Sequence, residues 1–315
     1  MRELVYNYDT DSYYAPDLTL LAEHITQQQI KEIVWQQEPD SILWARLGDG
    51  TLCSMTYRRE EEVIAWHHHV LGSEGSSDGF VESLCVVPSS AGEDELYMVV
   101  KRTVSGSTKR HVEKLSTLQK LGVIYQGAPA DNGTYLDNSL TNLLFLSSSN
   151  PVVSNLSHLE GKTVTYIADR KFKGTAVVSN GQITIDSELF DGGLSFIGDL
   201  SVGLPYSSTL KTMRMDTGGV EGTSQAKTKR IREVSVRFLD TLDAKVGPSE
   251  SDLKTVVFDK PEYNPVGGIL PLFSGDKTVE FHGDYETDGF VVVRQDEPLP
   301  MTILAIMPLL QTFDR

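Results

Sequence analysis

The chain has 315 residues, 39% hydrophobic and 23% charged, with 44 acidic against 28 basic residues and a formal net charge of −16. That length suffices for about two domains with real cores, and the acid excess argues against a protein that grips nucleic acid through its phosphates, though not against one that DNA slides past. No stretch approaches the ~18 apolar residues of a membrane helix, and Met1-Arg2-Glu3-Leu4 lacks the apolar core of a leader, so neither an anchor nor a signal peptide is expected.

In chain order, one helix signal comes first. Asp17 is placed to cap a run of Leu18, Leu21, Ala22 and Ile25 at helical spacing. The period then changes to two. Strands are expected over Ile30–Gln37, with Ile33 and Trp35 on one face, and over Ile42–Leu47, Thr51–Tyr57 and Val63–Val70. Glu38-Pro39-Asp40-Ser41, the tight Gly48-Asp49-Gly50 and the charged Arg58–Glu61 join them. Four short antiparallel strands in about 40 residues have the size of a β-propeller blade. A second, looser unit follows a mobile loop expected at Gly72–Gly79. It comprises Phe80–Val87, Leu96–Val104 and Lys109–Leu115, with Ser105-Gly106-Ser107 as a turn. Two blades cannot close a ring, because propellers need about four to eight.

Gly127–Asn138 reads as a linker. Residues 140 to 205 read as a compact β-module with strands at Leu143–Leu146, Thr163–Ala168, Thr175–Ser179, Gln182–Asp186 and Leu194–Val202, and Asn180-Gly181 as a hairpin turn. Arg214–Arg237 is locally basic. A helical turn is expected over Gln225–Ile231, then strands at Glu233–Phe238, Thr255–Phe258, Thr278–His282, Phe290–Gln295 and Met301–Met307. The expected class is all-β, mainly antiparallel: propeller-like blades, an inserted small β-barrel or sandwich, and one short helix. The expected divisions are 1–126, 127–210 and 211–315.

Little of this carries catalytic chemistry. There is no phosphate loop, no nucleophile turn and no His-Glu-x-x-His helix. His67-His68-His69 invites a metal, but alternation leaves only His67 and His69 on one face, with no third ligand nearby in sequence. His24, His111, His158 and His282 lie in unrelated contexts. Glu60-Glu61-Glu62 and Asp94-Glu95 read as charged turns rather than a glycosidase pair. Trp35, Trp44 and Trp66 fall in three different strands of the first blade and read as packing between blades rather than a sugar platform. Cys53 and Cys85 form no disulfide framework and are expected to be buried, reduced thiols. Lys227, Lys229, Arg230 and Arg232 could meet either phosphates or an acidic neighbouring subunit. No catalytic, cofactor or metal residue is expected.

Several runs resemble a known family. They are Ala15-Pro16-Asp17-Leu18-Thr19-Leu20-Leu21-Ala22-Glu23-His24-Ile25, Leu43-Trp44-Ala45-Arg46-Leu47-Gly48-Asp49-Gly50-Thr51-Leu52, Thr56-Tyr57-Arg58-Arg59-Glu60 and Val63-Ile64-Ala65-Trp66-His67. Further along come Glu82-Ser83, Asp94–Thr103, His158–Val164 and Pro298–Ile306. In order along nearly the whole chain they resemble the tail nozzle, or tail tubular B, proteins of short-tailed bacteriophages. The resemblance implies a structural virion protein, not an enzyme, needing no cofactor. It implies a ring, typically a hexamer, that meets portal or adaptor proteins, extends the portal channel and lets genomic DNA pass without specific binding. It places the protein in the virion tail, assembled in the host bacterial cytoplasm, with no membrane partner. Such proteins carry several more blades before this point, so the resemblance also implies a fragment or a short relative. The rival expectation is a carbohydrate-binding or depolymerising tail protein.

Overall fold

Period-two patterning is realised as antiparallel pairing in every sheet of the computed structural model, which describes residues 1–72, 79–89, 92–116, 134–144, 151–168, 171–185, 199–216, 223–258, 271–281 and 283–313. The fold is all-β and no sheet closes into a barrel. The chain divides into two compact units, Met1–Leu118 and Gln119–Arg315. The interior of the expected loop at Gly72–Gly79, most of the linker at Gly127–Asn138, and His282 lie outside the described residues.

The first unit opens with a small hairpin, β1 (Val5–Asn7) and β2 (Ser12–Tyr14), then helix α1 (Glu23–Thr26). The helix is four residues long and starts later than the Asp17 signal predicts. The Asp17 carboxylate instead accepts the backbone N–H and hydroxyl of Thr19, at 2.9 and 2.8 Å. This local turn competes with helix initiation, and Leu21 is left almost fully exposed. Next come β3 (Ile30–Gln36), β4 (Ile42–Leu47), β5 (Leu52–Arg58) and β6 (Val63–His69), an antiparallel meander in the order β3-β4-β5-β6. It matches the four strands expected between Ile30 and Val70. The second sheet is β7 (Phe80–Pro88), β8 (Asp94–Val104) and β9 (Ser107–Lys114), in the order β7-β8-β9.

The two sheets share a core. Trp44 and Leu52 of the first pack with Val81, Leu84, Leu96, Met98 and Val100 of the second. The opposite face of the first sheet buries Ala45, Leu47 and Cys53, with Ile25 of α1 and Trp66 packed against them. Each buried Val, Leu or Met among them contributes roughly 1.5–3 kcal/mol.

In the second unit, β10 (Asp137–Leu144), β11 (Val152–Val153), β12 (Thr163–Ala168), β13 (Lys171–Val177), β14 (Ile183–Thr184) and β15 (Asp199–Leu204) form a four-stranded sheet, β10-β15-β12-β13, and a two-stranded one, β11-β14. Both line one core, from Val153 to Leu204. Asn180 and Gly181 both take positive φ, 55° and 69°, as a two-residue hairpin turn requires. The Glu160 carboxylate accepts both of their N–H groups, at 2.9 and 2.6 Å.

The remainder is β16 (Ser208–Lys211), β17 (Thr228–Thr241), β18 (Lys245–Ser249), β19 (Asp252–Thr255), β20 (Phe273–Glu280), β21 (Val292–Gln295) and β22 (Thr302–Phe313). They make the sheets β16-β21-β18-β19 and β20-β17-β22 around a second core. The helical turn expected over Gln225–Ile231 is mostly strand. β17 begins at Thr228 because its alternation continues back to that point, with Lys229, Ile231 and Val234 inward and a register shift around Arg232. Pro308 pairs opposite Val234 on the edge strand β22, where a missing N–H costs least.

Gly50 fixes the β4–β5 turn. Its φ is +83°, and a Cβ there would lie 2.3 Å from the Phe80 ring of β7. Gly50→Ala is expected to cost about 2–4 kcal/mol, combining strain and overlap. Urea unfolding of the variant checks this.

Candidate functional site

β6 alternates its histidines as the sequence predicts. In register, His67 stands opposite Ser54 and His69 opposite Leu52. The Nε2 atoms of His67 and His69 both lie 2.7 Å from Ser54 Oγ, and the two rings are 4.8 Å apart. His68 points the other way, to the Ile25 carbonyl at 3.3 Å. Trp44 packs against His69 at 4.8 Å, and its Nε1–H donates to Gln36 Oε1. Burial lowers the pKa of both inward imidazoles, that of His69 to about 3. Ser54 has 0% exposure, so no substrate reaches its oxygen. The cluster has the partners of a nucleophile but not the access of one. Among the described residues, no group of three or more His, Cys, Asp or Glu side chains is arranged to hold a metal.

The expected carboxylate turns are structural where their partners are visible. Glu60, Glu61 and Glu62 are exposed between β5 and β6. The Asp94 carboxylate accepts the N–H groups of Gln37 and Glu38, at 2.8 and 3.1 Å, tying the end of β3 to the start of β8. Glu95 binds the Tyr97 hydroxyl and Lys114.

Sequence reasoning missed a second acidic group, formed by residues more than 50 positions apart. Asp243 Oδ2 accepts the N–H groups of Asp296 and Glu297, at 3.2 and 3.0 Å. Burial pushes the Asp243 and Glu297 carboxyls up. Burial also opposes ionisation of Asp296, but Lys245 and Arg294 outweigh it and hold that carboxyl down. Carboxyls displaced in opposite senses are what an acid–base pair needs. Here the Asp243 oxygen is committed to two backbone donors, and it fastens one turn to another. No sequence signal joins the two segments.

The basic stretch is taken apart by the fold. Lys229 is 1% exposed and its Nζ donates to the Met215 carbonyl at 2.8 Å. Arg230 donates to the Gly283 carbonyl and lies over the Tyr285 ring. Arg232 is exposed. Adjacent residues on a strand point to opposite sides, so a run of cations does not make a patch.

The tryptophans divide. Trp44 is buried, and Trp66 is half-buried with its Nε1–H on the Leu18 carbonyl. Trp35 is 44% exposed beside the exposed Ile33, contrary to its expected core role, because the cover over that face does not extend across the edge strand β3. A cavity of about 460 Å³ opens nearby, lined by Met1, Thr19, Thr26, Ile30, Lys31, Glu32 and Ile33. Cys53 is buried and its thiol is pushed up to about 11, mainly by burial. Cys85 is free but exposed, which corrects the expectation of burial. After the register shift between Val81 and Ser83, Leu84 and Val86 face inward and Cys85 faces out. Also missed was an exposed aromatic group on β1–β2. Tyr6 meets Tyr8 and Tyr13 edge-on, at 4.9 and 5.1 Å. Its only signal was four tyrosines between Tyr6 and Tyr14.

Compared with known protein families and with curated proteins, the sequence matches none.

One buried ion pair controls the second sheet. Arg102, 1% exposed, donates through Nε and one terminal nitrogen to both Glu113 oxygens, at 2.8 and 3.0 Å, and through the other to the Gly72 carbonyl. Arg102→Ala leaves that carboxylate unpaired and is expected to cost about 3–5 kcal/mol. Arg237→Ala, which removes the exposed pair with Asp276, is expected to leave the midpoint unchanged. Chemical denaturation of both variants tests the contrast.

Proposed function

We propose that the chain is a structural subunit of a short-tailed phage tail, a nozzle-type protein whose copies form a ring, typically of six, continuing the portal channel. The observation that carries this reading is the resemblance itself, a series of runs in order from Ala15 to Ile306. Three features support it. The meander β3–β6 has the strand number and size of one propeller blade. The polar clusters described above are occupied with holding turns and strands together. Among the described strands, β22 is an edge that runs from Thr302 to Phe313 without a charged residue, and an uncharged edge on either side of Pro308 is a surface on which a neighbouring chain can pair.

A conduit wall must let DNA slide. Each cation that neutralises a phosphate adds salt-sensitive binding, whereas a net negative wall repels the backbone over about 8 Å at physiological salt. The acid excess suits this, and so does the dispersal of Lys229, Arg230 and Arg232.

A carbohydrate-binding or depolymerising tail protein is the second reading. It is favoured by the exposed Trp35 and the exposed tyrosines at β1–β2. Two measurements separate the readings. The purified chain is expected to assemble into rings by electron microscopy or native mass spectrometry, and to bind duplex DNA negligibly at physiological salt. A monomer that binds or cleaves capsular polysaccharide, and loses this on Trp35→Ala, would favour the second reading and sink the first. Tight DNA binding that disappears when Arg230 and Arg232 are neutralised would defeat the sliding wall.

A further inference from the structure

The Ser54 hydroxyl has one proton to share between two ring nitrogens. One ring must therefore present a bare Nε2, which accepts the Ser54 proton. The Nε2 of the other ring then carries its own hydrogen and donates to Ser54 Oγ. The chain stays matched as long as one ring keeps a bare Nε2. Once both rings are protonated, each Nε2 carries a hydrogen, and a fully buried hydroxyl is stranded without an acceptor. A proton added to His69 places a cation in the apolar contact with Trp44, which packs with Leu52 and the β7–β8 side chains.

Among the described residues, no acid acts on either ring to offset such a charge. The charged groups acting on them are the histidines of the triplet themselves, which repel. From β4 come Trp44 and Arg46, the latter opposite Leu52 and paired with Glu32, and from β5 come the uncharged Leu52 and Ser54. From β8 comes Arg102, which is paired with Glu113. The Trp44 face favours a cation, but burial outweighs it, since the His69 value falls from 6.5 to about 3.

Among the described residues, β6 is an edge strand whose backbone pairs with β5. Its other described side-chain anchors are Trp66 on Leu18 and His68 on Ile25. We infer that the His67–Ser54–His69 bridge is an acid-sensitive latch, which holds β6 to the sheet at neutral pH and releases it on acidification. This does not depend on the phage reading.

The sign follows from the depressed values. An open or unfolded chain takes up protons near pH 6.5, while the closed latch does not. Latch stability is therefore complete above pH 6.5 and is lost as pH falls from there toward 3. Each ring contributes up to tenfold per pH unit to the open-to-closed ratio.

Amide hydrogen exchange on the full chain from pH 7.5 to 4.5, corrected for intrinsic rates, reads this directly. Protection of Val63–His69 is expected to fall progressively below pH 6.5, with a slope that steepens toward about tenfold per unit for each ring, while Leu96–Val104 changes little. The double variant His67→Gln, His69→Gln is expected to lose the pH dependence. Flat β6 protection in the wild type, or the same slope in the variant, would overturn the latch. Should the double variant fail to fold, ring nitrogen chemical shifts of the wild type decide. His69 staying neutral down to pH 4.5 supports the latch, and His69 titrating near 6.5 refutes it.

Discussion

β5 is buried on both faces, and the first unit is arranged to satisfy it. Leu52, Cys53, Ser54 and Met55 are all buried, so cover must come from two directions. Leu52 packs with Trp44 against the β7–β8 side chains, while Cys53 faces the layer that includes Ile25 and Trp66. The Gly50 turn leads into β5 and rests on Phe80, and the Gly50 carbonyl accepts the Val81 N–H. The double burial also explains the histidines. Ser54 is a hydroxyl in a place that admits no water partner, so it must find protein partners, and β6 supplies two.

Polar groups in the second unit are likewise committed to the backbone. Glu160, Asp216 and Asp243 are carboxylates whose main task is to accept backbone N–H groups at turns. Asp216 accepts from the Ser224 N–H and from the Ser224 and Thr223 hydroxyls, which holds its carboxyl down to about 2. Buried cations do the converse. Lys229 is held by a carbonyl, and Arg102 by a carbonyl and a carboxylate. Carboxylates thus serve as turn acceptors both at the surface, as Asp216 does, and inside, as Asp243 does.

Much of the fold is legible in the sequence. The four strands of the first sheet, the alternation of His67, His68 and His69, and the turns at Gly48–Gly50 and Asn180–Gly181 follow from two local rules. Successive residues on a strand face opposite ways, and positive φ favours Gly and Asn. The helix signal at Asp17 failed because a short-range hydrogen bond to Thr19 satisfied the same carboxylate. The Gln225–Ile231 turn failed because β17 extends its alternation through Lys229.

The sequence by itself determined where strands run and which residues share a face. Only the tertiary structure decided which face is covered. Trp35 and Cys85 lie in apolar runs like those of buried neighbours, yet both are exposed, because burial depends on what packs above a strand. Likewise the run Lys227–Arg232 could not reveal that Lys229 turns inward to Met215. Nor could the triplet reveal Ser54 as its shared partner, which cross-strand register supplies. Local periodicity sets direction, but partners come from pairing between distant segments, and that is a property of the folded chain.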